Sequence, residues 1–223
     1  PELNGAVFRM PRGRMLGGTS SINGLVYLRG QHEDYDHWRD LGNVGWGYED
    51  VLPYFIKSED NDRGASQFHG KGGPLGVSSM PHHEMADAFI ESALRAGHSR
   101  NDDFDGATQE GFGQSQMTTR NGQRCSTATA FLHPARTRPN LSVLTHALAQ
   151  RVVFKDRRAI GVEIRHGGSV ALVQARKEVI LCCGSFNSPQ LLQVSGIGPG
   201  GLLQKHHIPV LVDLPGVGEN LQD

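Results

Sequence analysis

The apolar residues of this chain follow two rhythms. In the first part they recur at helical spacing. His83–Ala96 is the clearest case: Met85, Phe89, Ile90, Ala93 and Leu94 share one face, and Gly97 supplies a stop. Asp34–Leu41 and Glu49–Glu59 also read as helices. Acids lead the first, where they complement the helix dipole. Val51, Leu52, Tyr54, Phe55 and Ile56 stripe the second, with Pro53 expected in its first turn, where a missing N–H costs little. Ser126–His133 reads as a shorter helix ended by Pro134.

The second rhythm is that of strands. Leu75–Val77 is a short strand candidate, and Phe112–Thr119 alternates weakly. From Leu141 onward the β signal dominates. Leu141–Thr145, Arg151–Phe154, Ala159–Arg165 and Val170–Ala175 are divided by the turns Lys155–Arg158 and His166–Ser169, which predicts a β-meander. Val179–Cys183 has no polar alternation and is expected as a strand buried on both faces. Ser188 and Pro189 then suit the cap and first position of a helix over Gln190–Val194. Strand, tight turn and helix in that order predict an α/β fold, with the turn at the sheet's carboxyl edge, where ligands bind.

Composition changes this picture little. A chain of 223 residues can bury a substantial core without staples. Its 22 basic and 23 acidic residues nearly balance, so no nucleic-acid partner is expected. Three cysteines, Cys125 and the adjacent Cys182 and Cys183, make no disulfide framework and are expected as buried reduced thiols. No apolar run reaches the ~20 residues that span a bilayer. The chain begins at Pro1 and stops after a glycine-rich turn, which is expected of an internal piece of a longer protein.

The candidate chemistry lies in Gly13-Arg14-Met15-Leu16-Gly17-Gly18-Thr19-Ser20-Ser21-Ile22-Asn23-Gly24. Glycine lets backbone approach a ligand closely or take positive φ. Successive N–H groups in such a loop form an anion nest suited to a pyrophosphate. Ser20 and Ser21 add rotatable donors, and Asn23 adds a donor and an acceptor. Other motifs fall away. Gly196–Gly201 matches G-x-G-x-x-G, but it follows a helix and contains Pro199, so a helix stop and turn is expected. The pairs His82-His83 and His206-His207 do not share a helix face, and no H-E-x-x-H or paired C-x-x-C occurs, so no metal site is expected. No G-x-S-x-G elbow is present. Asp102, Asp103 and Asp105 read as solvated loop residues.

The Gly13–Gly24 string resembles the first signature of the glucose–methanol–choline (GMC) family of FAD-dependent oxidoreductases. A second family-like string follows at Gly184-Ser185-Phe186-Asn187-Ser188-Pro189-Gln190 and onward to Gly198. Gly45-Trp46-Gly47-Tyr48, Leu52-Pro53-Tyr54-Phe55, Phe68-His69-Gly70 and Arg124-Cys125-Ser126-Thr127-Ala128 are similar to the family as well. The resemblance implies an incomplete GMC-type FAD-binding fold. Residues 1–62 and 141–223 would belong to the FAD-binding domain and residues 63–140 to an inserted substrate domain. FAD contacts carried over are Leu16, Gly17, Gly18, Ser20, Asn23, Gly24 and Val26, with Ala149 at the adenine. Some relatives attach FAD through a histidine just before the signature asparagine; Ile22 stands there, which implies non-covalent FAD.

The implied activity is oxidation of a primary alcohol, choline or a related one, by hydride transfer to the flavin. The family's catalytic histidine and its partner lie beyond this chain, so no catalytic residue is assigned in it. The resemblance fits dehydrogenase, oxidase and hydroxynitrile lyase alike, and leaves the electron acceptor open. The intact enzyme is expected in the cytoplasm, with peripheral membrane association as a further partner expectation. The piece by itself, lacking the opening βαβ unit, is expected to be poorly stable and inactive.

Overall fold

A computed structural model describes residues 5, 7 and 9–221. They form two compact units, Pro1–Leu141 and Ser142–Asp223.

The first unit opens with a 3-10 turn, Gly18–Ser21, and the short strand β1 (Val26–Tyr27). Helices α1 (His32–Asp40) and α2 (Tyr48–Ser58) follow. Carboxylates start both helices: Gln31 N–H donates to Asp34 Oδ2 at 2.8 Å, and Gly47 N–H to Asp50 Oδ2 at 3.0 Å. Pro53 lies in the second turn of α2, not the first. The helix begins at Tyr48, earlier than the apolar stripe indicates, because Asp50 caps it. Tyr48 and Leu52 are its buried residues.

Strands β2 (Glu59–Asn61), β3 (Leu75–Ser79) and β4 (Gln116–Met117) complete a mixed sheet in the order β1-β4-β3-β2. Only β2 and β3 run parallel in it. Val77, Ile90, Cys125, Ala128 and Ala130 form the rest of this unit's buried apolar core. Helix α3 (Glu84–Arg95) turns Ile90 inward but leaves Met85 and Phe89 72% and 66% exposed. Its buried face is thus narrower than the apolar face of the sequence. The expected strand Phe112–Thr119 breaks into β4 and β5 (Thr119–Arg120), and β5 pairs with β6 (Gln123–Arg124) in a hairpin. A π-turn, Ala128–Leu132, runs directly into the short α4 (His133–Ala135). Pro134 sits in the first turn of α4, where it starts a helix instead of ending one.

The second unit holds the meander β7 (Ala147–Lys155), β8 (Arg158–His166) and β9 (Ser169–Gln174). Its first hairpin turns at Asp156 and Arg157, both with positive φ, as a tight two-residue hairpin requires. Leu141–Thr145 is not a strand; β7 begins only at Ala147. Helix α5 (Gly184–Val194) follows, and Val152 N–H of β7 donates to Ser195 Oγ at its end, 2.8 Å away. Strand β10 (Ile197–Gly198) pairs in parallel with β11 (Val212–Asp213) around α6 (Gly200–Lys205).

Further expectations fail in this unit. Val179–Cys183 forms no strand, and Ile180 is 75% exposed. A strand exists only through its ladder partners, and no described segment pairs with this one. Cys182 is consequently exposed and Cys183 half-buried, while Cys125 is buried as expected; none of the three is in a disulfide. Pro189 stands inside α5, because the helix starts at Gly184. In the Gly196–Gly201 segment only Gly196 is the expected helix stop and turn; Ile197–Gly198 form β10, and Gly200 and Gly201 open α6. The first N–H of α6, at Gly200, already donates to Asp213 Oδ1 at 2.7 Å, so no anion is called for there. No helix among the described residues is long and apolar enough to cross a membrane.

Candidate functional site

The glycine loop is held by its own side chains. Gly13 lies against Gly18, where a Cβ would come within 2.1 Å of the Gly18 carbonyl oxygen. Gly17 and Gly18 both take positive φ, at 89° and 54°, and begin the 3-10 turn. A Cβ on Gly18 would meet nothing within 4 Å, so that face of the backbone is open. Ser20 Oγ donates to the Gly17 carbonyl, and Ser21 Oγ to the Leu16 carbonyl at 3.0 Å. A hydroxyl carries one hydrogen. Ser20 and Ser21 therefore fasten the loop and are not the outward donors that the sequence indicates.

Asn23 supplies that donor. Its Oδ1 accepts from Arg124 Nη1 at 2.8 Å and from Leu25 N–H at 3.2 Å. Its NH2 group has no protein partner among the described residues and is exposed. Leu16 is exposed beside the turn. Gly24 has no atom within 4 Å of where its Cβ would stand. Val26 is exposed on β1, which pairs with Met117 of β4. The loop thus brings together Leu16, Gly17, Gly18, Ser20, Asn23, Gly24 and Val26. Ala149 belongs to the second unit, half-buried on β7 opposite Ile164, where the register shifts toward Arg151.

Just past β1 lies a cluster that the sequence reading misses. Arg29 is buried, with Nη2 on Glu59 Oε2 at 2.9 Å, Nη1 on the Phe68 carbonyl at 2.8 Å, and its guanidinium over the Phe55 ring. Its backbone N–H donates to Asp105 Oδ1 at 2.7 Å. Glu59 also accepts from Gly70 N–H at 2.8 Å and Asn61 Nδ2 at 2.8 Å. Asn61 Nδ2 gives its second hydrogen to Gln116 Oε1 at 2.9 Å.

His69 stands between two carboxylates, with Nδ1 at 3.1 Å from Glu59 Oε1 and Nε2 at 2.9 Å from Asp103 Oδ2. Both hydrogens of the nearby Asn61 amide are already placed, so Nδ1 donates to Glu59 and Nε2 to Asp103. Carboxylate oxygens at both ring nitrogens favour the imidazolium form. The Glu59 hydrogen bond raises the His69 pKa against the opposing effect of burial, and Asp103 adds to it. For Glu59, burial pushes upward, but hydrogen bonds from His69, Gly70 and Asn61 with the Arg29 charge outweigh it and lower its pKa. Burial raises the pKa of Asp105 and takes that of Tyr27 to about 12. Asp105 is therefore part of a buried cage, Asp103 closes the cage from the solvent side with its side chain 39% exposed, and Asp102 alone is the solvated loop residue expected of all three.

The family model described as GMC oxidoreductase matches residues 1–223. The chain belongs to the GMC oxidoreductase family. An oxygen-dependent choline dehydrogenase of Brucella anthropi is 46% identical over 224 residues, covering 100% of this chain and 41% of that protein. Among solved structures, pyridoxine 4-oxidase from Mesorbium loti matches with a TM-score of 0.84 and 34% identity, over 92% of this chain and 41% of that one. An FAD-dependent oxidoreductase from Chaetomium thermophilum matches with a TM-score of 0.84 and 31% identity, over 92% of this chain and 38% of that one. The chain thus spans about 41% of the length of the curated relatives it matches.

Proposed function

We propose that the Gly13–Gly24 loop holds FAD and that the full-length protein oxidises a primary alcohol, choline or a relative, to its aldehyde. The observation that carries this reading is the positive-φ backbone of Gly17 and Gly18, open at Gly18, beside the unpartnered NH2 of Asn23. A dinucleotide needs close backbone approach and donors without a bulky Cβ, and the loop offers both. Leu16, Gly17, Gly18, Asn23, Gly24 and Val26 would hold the group, with Ala149 at its adenine, and Ser20 takes part through the loop's backbone, since its hydroxyl is engaged by Gly17 and Thr127. When bound, the flavin accepts the hydride from the alcohol carbon. The protein's part here is to bind and orient. The Gly17–Gly18 backbone excludes side chains from the contact face, Asn23 donates, and the cage behind β1 keeps the strand in place. The division into an FAD-binding domain, residues 1–62 and 141–223, around a substrate domain, residues 63–140, belongs to the same proposal. The full-length enzyme is placed in the cytoplasm, free or at a membrane surface, which cell fractionation decides.

Ile22 offers only hydrocarbon at the position next to Asn23, so FAD is held without a covalent bond. We expect acid denaturation of the full-length protein to release all of its flavin, and yellow colour left on the precipitated chain would refute this. Asn23→Leu is expected to lower flavin occupancy about tenfold or more, because a donor is lost where the partner is charged. Equal flavin content in the two purified proteins would sink the assignment of Asn23. Bleaching of the bound flavin by choline under anaerobic conditions supports alcohol oxidation. A flavin that stays yellow with every alcohol tried points to the lyase chemistry of the family.

A further inference from the structure

The loop's conformation depends on residues far along the chain. Arg124, 104 positions after Ser20, ends the β5–β6 hairpin and reaches back with a single nitrogen. One hydrogen of Nη1 goes to the Ser20 carbonyl at 3.1 Å, the other to Asn23 Oδ1 at 2.8 Å. Thr127 adds a second grip: its N–H donates to Ser20 Oγ at 2.9 Å, and its Oγ1 donates to the Gly17 carbonyl at 3.2 Å. Thr118, just before the hairpin, donates its N–H to the Leu25 carbonyl at 2.8 Å. The segment 118–127 therefore grips the loop on both sides of Asn23.

We propose that Arg124 is the positioning residue of this loop, fixing which end of the Asn23 amide meets the bound dinucleotide. This rests on the reading that the loop holds FAD. The physical reason is the asymmetry of the partner. An amide turned by half a rotation exchanges its oxygen for its NH2 with almost no change in shape. A hydroxyl or water partner would accept either face. A guanidinium only donates, so it binds Oδ1 and rejects NH2. With Oδ1 held by Arg124, the NH2 points outward and serves as a donor to an acceptor-rich ligand. The same cation lies beside the turn's N–H groups and adds to the positive potential there. Among the described residues the Arg124 side chain hydrogen-bonds to the loop alone, while its backbone pairs with Thr119, and Arg124 is no part of the set proposed to contact FAD.

The test compares Arg124→Met and Arg124→Lys in the full-length protein. Hydrogen exchange of residues 16–24 is read without FAD, and FAD affinity and the visible spectrum of the bound flavin are read by titration. Arg124→Met is expected to speed exchange in the loop about tenfold or more, with a comparable fall in FAD affinity, as loss of a charge-assisted hydrogen bond implies. Arg124→Lys keeps a cation with three donors and is expected to recover most of both. Protection in the β7–β9 meander serves as the folding reference. If Arg124→Met does not fold, Arg124→Gln is read in the same way, since it retains an NH2 without the charge. Unchanged exchange over residues 16–24 overturns the proposal. Faster exchange with unaltered FAD affinity keeps the clamp and removes the FAD reading of the loop instead.

Discussion

The glycine loop and the Arg29 cage occupy one compact unit and are joined through β1, yet they are held in opposite ways. Arg29 and Glu59 meet with side chains 2% and 0% exposed, and each is hydrogen-bonded further, Arg29 to the Phe68 carbonyl and Glu59 to Gly70 and Asn61. The loop has no buried charge. It is shaped by glycine conformations and by half-exposed hydrogen bonds from Arg124, Ser20 and Thr127. Stability and availability are thus separated along a few residues of chain. The cage satisfies its donors internally and offers none outward. The loop leaves an amide NH2 and an open glycine face unengaged, which is what a ligand requires. A site built like the cage would be rigid but closed, and a site built like the loop alone would not hold its shape.

The difference is broken most severely from the cage side. Glu59→Leu is expected to destabilise the protein by about 3–5 kcal/mol, because Arg29 and His69 are left as buried cations and the Asn61 and Gly70 donors lose their acceptor. The urea midpoint measures this. A shift no larger than that of an exposed-residue control would mean that the cage is not dry. A smaller effect is expected from the loop side. Gly13→Ala places a methyl 2.1 Å from the Gly18 carbonyl oxygen and 2.3 Å from its carbon. Backbone cannot yield as a side-chain tip does, so the cost is about 1–3 kcal/mol. Gly24→Ala, with open space around it, serves as the comparison. If the two variants unfold at the same urea concentration, Gly13 does not pack on Gly18.

Sequence patterns reached these two regions unequally. The loop was legible because its chemistry is local: glycines, small hydroxyls and an amide lie side by side, and the family signature is itself contiguous. The cage was not. Arg29, Glu59, His69 and Asp105 come from four separate segments; Asp105 reads as a solvated loop residue and His69 only as part of a family-like string. Contacts between residues distant in sequence bring them together: Arg29 reaches Glu59, Phe68 and Asp105, and His69 reaches Glu59 and Asp103. The same reasoning explains the helices and the meander, whose periodicity is local and whose positions were largely foreseen. It also explains Val179–Cys183, an apolar run whose strand character depends on partners no local pattern supplies. Arg124 was legible as part of a family-like string but not in its role, since the contact to Asn23 spans the fold.

The finest distinction between the two regions is in pH, and it turns on His69. Its folded pKa is raised by Glu59 and Asp103. The imidazolium therefore stabilises the fold fully below the unfolded histidine value of about 6.5. That contribution is lost as pH rises through the folded value. Glu59 has the opposite sign: its folded pKa is lowered, so its contribution is present above the ordinary carboxylate value and is lost as pH falls through the folded one. Asp105, raised by burial, favours its protonated form in the fold and takes stability away as pH climbs past the ordinary aspartate range. Arg29 stays charged throughout and leaves the profile to these groups. We expect stability to peak in the weakly acidic range and to decline toward alkaline pH. In His69→Gln, which keeps a donor but cannot titrate, the alkaline decline is expected to flatten. The loop contains no titratable side chain from Leu16 to Gly24, so its hydrogen exchange, once corrected for the intrinsic rate, should not follow the same curve. Urea midpoints of both proteins from pH 6 to 9 decide the point: parallel profiles would mean that His69 is not the buried imidazolium its two carboxylates require.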